Sequence, residues 1–139
     1  MENINMFLGK DQGEGRKDKF EIVFDNGEKV GCLSNDLSTP QVQEWNEKYI
    51  VSINNEIYIL SKEKLELIKT FSLNISVYEV ITDAELLYIF GEIDILALNK
   101  QLEVVKQIKL DDILTDYNIE NGKINYTTSK GDKISVSVF

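Results

Sequence analysis

From position 41 onward the chain is written in short apolar runs separated by pairs of turn-forming residues. "KYIVSI" leads through Asn54-Asn55 into "EIYIL", and "LLYIF" leads through Gly91-Glu92 into "IDILAL". Runs this short, rich in Ile, Val, Tyr and Phe and bounded by Asn and Gly, predict strands joined by tight turns. After each pair comes a lysine-containing turn and then a nearly shared phrase, "LELIKTFSL" at 65–73 and "LEVVKQIKL" at 102–110. Before each pair lies a further run, "VQEW" at 42–45 and "VYEV" at 77–80. The repeating element is therefore four antiparallel strands.

The shared phrase admits two readings. Leu65, Ile68 and Phe71 fall near helical spacing, and "SKEKLELIK" is made of good helix formers. As a strand, Leu65, Leu67, Phe71 and Leu73 share one face interrupted by Lys69, and Leu102, Val104, Ile108 and Leu110 repeat the arrangement around Lys106. The β-branched Val104, Val105 and Ile108 favour the strand.

A third copy begins in "ILTDYNIEN", continues through "GKINYTTSKGDKISVSV", and has no counterpart of the phrase. The edge of its last strand needs cover, because unpaired edges invite aggregation. "KFEIVFDNGEKVGCLS", with Asn26-Gly27 as a type I′ turn, supplies a spare hairpin for that role. The chain reads as one all-β domain over 1–139. A loop and hairpin occupy 1–40, repeat units 41–75 and 76–112, and a truncated unit 113–139.

Four-stranded units at this period resemble the blades of the β-propeller superfamily, over positions 41–139. The Trp-Asp blade dipeptide is not present, and three units are fewer than the four blades of a closed ring. The resemblance implies an incomplete propeller, either an open arc of blades or a sandwich-like stack of antiparallel sheets.

Composition narrows the chemistry. With 24 acidic residues against 15 basic, the net charge is −9. A field of that sign opposes phosphate backbones and anionic membranes, so a basic protein is the expected partner and nucleic acid is not. Histidine is absent, which excludes Ser-His-Asp and Cys-His catalysis and every imidazole metal site. The single Cys32 has no partner for a disulfide and reads as a small buried hydrophobe. "GKDQGEGRKD" matches no phosphate-loop pattern and reads as a surface loop. Hydrolysis by carboxylates alone requires two acids in a cleft, for which Asp111-Asp112 or Asp83 with Glu85 are the material, but such pairs are equally the stuff of turns. No catalytic, cofactor-binding or metal-binding residue is expected. Without an export signal or an apolar run of roughly 18 residues, the expected location is cytoplasmic, with no membrane partner.

The acidic residues gather in the loops that follow the first strand of each unit, "EWNEK", "TDAE" and "IENG". Equivalent loops of blades share a rim, so Glu44, Glu47, Asp83, Glu85 and Glu120 form a candidate partner-binding edge, with Trp45 as an aromatic anchor. In the competing reading these loops are merely solvated and Trp45 packs in the core. Size, charge and incomplete repeats resemble the immunity proteins that neutralise bacterial nuclease toxins. That resemblance implies acidic side chains set against toxin lysines and arginines. The alternative, from a different class, is a structural or adaptor module that assembles through a free sheet edge, with another chain or as a homo-oligomer.

Overall fold

The computed structural model describes residues 4–8, 18–23, 29–34, 41–73 and 76–138. All regular structure among them is β, in four sheets, and no helix is long and apolar enough to cross a membrane. The chain divides into two compact units, Met1–Ser72 and Leu73–Phe139.

In the first unit, β1 (Ile4–Leu8), β2 (Asp18–Val23) and β3 (Lys29–Ser34) form a sheet of order β1-β3-β2. β2 and β3 are the expected hairpin, paired antiparallel from Asp18↔Ser34 to Val23↔Lys29. The Asn26-Gly27 turn and the glycine-rich stretch 9–17 lie outside the described residues. β1, from "INMFL", was not anticipated; it pairs parallel to β3. The hairpin therefore bonds to β1, in a three-stranded sheet within the first unit.

The same unit holds the first repeat sheet, a meander of β4 (Gln41–Trp45), β5 (Lys48–Ile53), β6 (Glu56–Ser61) and β7 (Leu67–Ser72). Its hairpins close at Asn46-Glu47 and Asn54-Asn55, where Asn46, Glu47 and Asn54 have φ of 52°, 63° and 55°. Asparagine tolerates this left-handed region better than most residues, which fits it to such turns. Val51, Ile57, Ile59 and Leu60 are fully buried, so the two middle strands are the core of this sheet.

The second unit repeats the meander in β8 (Val77–Thr82), β9 (Leu87–Gly91), β10 (Asp94–Leu98) and β11 (Val104–Lys109). Every residue of β9 and β10 is buried. Burial on both faces requires an unbroken apolar run instead of alternation, which is what "LYIF" and "ILAL" supply. The turn between them is Glu92-Ile93, one residue beyond the expected Gly91-Glu92, because Gly91 still belongs to β9. Gly91 is needed there: a Cβ would lie 2.5 Å from Leu73 Cδ2 and 3.1 Å from the Asp94 carbonyl.

The third repeat sheet has three strands, β12 (Leu114–Glu120), β13 (Lys123–Thr128) and β14 (Lys133–Ser137). Within the unit it shares a core with the second sheet. Tyr88, Phe90, Ile95 and Ala97 pack in one cluster with Leu114, Ile124, Tyr126 and Val138. The rings of Phe90 and Tyr117 stack across it at 4.2 Å.

The shared phrase is a strand, but not on the expected face. In both copies the pairing slips at the same place: Ile59↔Lys69 is followed by Leu60↔Leu67, and Ala97↔Lys106 by Leu98↔Val104. Ile68 and Val105 are thus the extra residues of matching β-bulges. A slip of one residue reverses the side of everything beyond it, so Leu67 is 47% exposed and does not share a face with Phe71. The leading leucines, Leu65 and Leu102, precede the strands and are buried at φ of 55° and 64°. Each turns the chain while plugging the core, and this duty explains why the phrase begins with leucine twice.

Candidate functional site

The third repeat sheet has two unlike faces. Cross-strand pairing aligns Tyr117↔Tyr126↔Ile134 and Ile119↔Ile124↔Val136 on the face turned to the core. It aligns Asn118↔Asn125↔Ser135 and Asp116↔Thr127↔Lys133 on the other. The hairpins of the second sheet place Tyr88, Phe90, Ile95 and Ala97 at the positions of Asn125, Thr127, Lys133 and Ser135. Those four are wholly buried in the second sheet, whereas Lys133 and Ser135 are exposed and Asn125 and Thr127 half-buried. A face that is apolar in one repeat has become polar in the next, as in the terminal repeats of stacked arrays. Asn125 Nδ2 donates to Asn118 Oδ1 at 2.8 Å across this face, and the strands form a shallow depression of about 360 Å³ lined by these polar groups together with Tyr117, Tyr126 and Ile134.

The edge of the sheet is different. β14 corresponds to β6 and β10, each of which carries a fourth strand on its far side; among the described residues no strand pairs with the far side of β14. Tyr58, Leu96 and Ile134 occupy one position of the three repeats, and their exposures are 6%, 7% and 40%. The N–H of Val138 bonds to the carbonyl of Gly122, and antiparallel alternation then points the N–H groups of Lys133 and Ser135 away from β13. Thus one face of the third sheet carries polar side chains, and among the described residues its β14 edge has no neighbouring strand.

The six residues expected to bind a partner are differently employed. Glu44 is exposed on β4 and accepts a hydrogen bond from Lys62 Nζ at 2.9 Å, which holds the Lys62 ammonium above its ordinary range. Glu47 is exposed in the β4–β5 turn, where its carbonyl accepts from the Lys62 N–H at 3.1 Å. Trp45 is 6% exposed and belongs to the core of its sheet instead of a surface anchor, because alternation along β4 turns it inward while Glu44 faces water. In the second unit, Asp83 Oδ1 accepts from the N–H groups of Glu85 and Leu86 at 2.9 and 2.8 Å and shapes the β8–β9 turn. Its Oδ2 lies 3.5 Å from the Tyr88 hydroxyl. Burial, then the Asp83 charge, push that phenol above its usual range. Glu85 faces Lys100 Nζ at 3.5 Å. Glu120 is exposed at the end of β12 and lines a small depression with Asn121 and Lys123.

The acid pairs considered for hydrolysis also serve turns. Asp112 accepts from the Ile113 N–H at 2.8 Å; hydrogen bonds from Ser129 and that N–H hold its carboxyl below the usual range. Among the described residues no group of three acidic or thiol side chains is placed to hold a metal ion. The β14 edge is the one that the missing third copy of the phrase pointed to; Ile134, Lys133 and Ser135, the residues that lie along it, were not singled out.

No protein-family model matches the chain, and no curated protein matches it in sequence. Solved structures match it in shape. BamB from Moraxella catarrhalis superposes with a TM-score of 0.51 at 14% identity, over 80% of this chain and 34% of its own. BBS1N, in complex with ARL6DN, gives 0.54 at 12%, over 82% and 42%. Saccharomyces cerevisiae Sqt1 gives 0.51 at 16%, over 83% and 38%. All three are β-propeller proteins. The repeats are propeller-type blades. The likeness is one of fold, and the chain spans about two fifths or less of the length of these structures. None of the three is a toxin inhibitor by name, so the resemblance to immunity proteins gains no support from them.

Proposed function

We propose that the protein is a non-catalytic interaction module, an adaptor that binds another protein through the open edge of its third blade-like sheet. The observation that carries this reading is the contrast at one position of the repeat: Tyr58 and Leu96 are sealed beside a fourth strand, and Ile134 is 40% exposed with no such strand among the described residues. Strand addition satisfies outward N–H and C=O groups and covers such a side chain in one step. The polar face of the same sheet argues against a further sheet stacking there, which limits the assembly to the edge. Among the structures sharing the fold, BBS1N was solved with a protein partner, ARL6DN.

The charge-based reading, a basic nuclease toxin held by the acidic loops, has less behind it. Glu44 and Glu85 face lysines of the chain itself, Asp83 is engaged in its own turn, and Trp45 is buried. A photo-crosslinking residue at Ser135, introduced in the native host, tests the edge reading. A discrete protein adduct from Ser135, and none from the exposed Lys123 on the same sheet, is expected; equal labelling from both positions, or none from Ser135, would overturn it.

A further inference from the structure

Glu79 and Asp116 occupy one position of the repeat, paired across the first hairpin of their sheets with Phe90 and Thr127. In the second sheet that carboxylate accepts a hydroxyl: Tyr117 donates to Glu79 Oε1 at 2.8 Å. Its neighbours Ile81, Tyr88, Phe90, Ile95 and Ala97 pack into the core shared with the third sheet. On the third sheet the carboxylate is kept as Asp116, while the same neighbours have become Asn118, Asn125, Thr127, Lys133 and Ser135. These six residues line the depression of about 360 Å³, and Asp116, Asn118, Lys133 and Ser135 are exposed. The middle of the face is made of short amides and hydroxyls, and it is ordered by its own bonds. Asn125 Nδ2 donates to Asn118 Oδ1 at 2.8 Å, and the Tyr117 N–H donates to Asp116 Oδ1 at 3.0 Å. The Asn118 amide donors, the Asn125 carbonyl and the second Asp116 oxygen keep hydrogen-bonding capacity for something else.

We infer that this face binds a neutral saccharide of mono- to disaccharide size, through hydrogen bonds between its hydroxyls and Asp116, Asn118 and Asn125. It goes beyond the edge reading and does not depend on it. A hydroxyl both donates and accepts, so neighbouring hydroxyls of a sugar ring present a donor and an acceptor side by side. A primary amide offers the same two functions, and a carboxylate takes two donors at once. The position of Asp116 already takes a hydroxyl in the preceding repeat, as Glu79 does from Tyr117. Charge selects a neutral ligand. Asp116 and Lys133 stand at the two ends of one cross-strand row, so the depression carries one charge of each sign. The net −9 of the chain opposes an anionic sugar. Size agrees as well: the row spans two strand spacings, roughly 10 Å, and the volume falls at the lower end of the roughly 300–1,000 Å³ common for small-ligand sites.

The test is a nuclear magnetic resonance titration of the full, isotope-labelled chain with maltose, cellobiose, lactose and N,N′-diacetylchitobiose, with glycerol at equal hydroxyl concentration as the control. At least one disaccharide should shift the side-chain amide signals of Asn118 and Asn125 saturably, and glycerol should not. Asp116→Asn and Asn118→Ala, both at exposed positions, should each weaken that binding at least about tenfold, the loss of one hydrogen bond to a charged or fixed group. Gln107→Ala, on β11 of the second sheet, should leave it unchanged. An unaltered melting temperature of the two variants separates lost binding from lost folding. No saturable shift with any of the four sugars would overturn the inference. So would equal shifts with glycerol, tighter binding of glucuronic acid than of glucose, or full binding by both variants. A saccharide response without a protein adduct at Ser135 would uphold the inference and remove the edge reading. An adduct without a saccharide response would do the opposite.

Discussion

The hydroxyl of Tyr117 on β12 donates a 2.8 Å hydrogen bond to Oε1 of Glu79 on β8, joining the first strands of two successive blade-like sheets. The same ring stacks on Phe90. Burial first, then the Glu79 bond and charge, push the Tyr117 phenol up to about 12. Tyr78, Tyr88 and Tyr126 are raised as well, each mainly by burial. A phenol raised in the folded state contributes stability that is complete below its unfolded value near 10 and is lost as pH climbs through the folded value. Urea midpoints should therefore fall between about pH 10 and 12. Tyr117→Phe should flatten that fall and leave a residue from the other three tyrosines. An unchanged profile would contradict both the burial of the Tyr117 phenol and its bond to Glu79.

Trp45→Ala should cost about 3–5 kcal/mol, the range for a buried aromatic truncated to a methyl. Denaturant unfolding measures this directly. A loss below about 1 kcal/mol would place Trp45 at the surface after all.

Glu44→Gln and Glu85→Gln break ion pairs whose members are all substantially exposed. Each should move stability by less than about 1 kcal/mol, and less still in high salt. A larger loss in either variant would mean that the loop is structural in a way its exposure does not suggest.

Gly91→Ala should destabilise by about 1–3 kcal/mol through overpacking against Leu73 and the Asp94 carbonyl. In a Leu73→Ala background the same change should cost less, since the nearest clash has gone. A double-mutant cycle without coupling would contradict the contact.

The repeats were legible because β5, β6, β9 and β10 are apolar on both faces, and such runs stand out against polar turns. Their turns were legible through Asn46, Asn54 and Asn121, residues suited to the left-handed backbone they adopt. The bulges at Ile68 and Val105 were not, because a β-branched aliphatic residue reads the same whether it is paired or extra. Leu65 and Leu102 were misread for a related reason: leucine seldom takes positive φ, so its place in a turn leaves no compositional mark. β1 passed unnoticed because five residues beside a glycine-rich stretch carry little period. Of the expected site, Glu47, Asp83 and Glu85 lie in the turns after first strands, and Glu44 and Glu120 lie on the strands that lead into such turns. Their engagement with Lys62, Lys100 and the chain's own N–H groups depends on neighbours that only folding supplies. The edge of β14 was visible as a missing phrase, while the residue that reports it, Ile134, looked like any strand isoleucine.

The most direct measurement of the central claim is residue-resolved amide exchange on the isolated protein. The Leu110 N–H bonds to the Ile93 carbonyl, and the same alternation directs the N–H groups of Ile95 and Ala97 into the β10–β11 ladder. Lys133 and Ser135 are their counterparts on β14. With an open edge, Ile95 and Ala97 should exchange slowly, at rates governed by cooperative opening, and Lys133 and Ser135 should exchange nearly as fast as an unstructured peptide. Equal protection at all four positions would mean that β14 is already covered and would contradict the account.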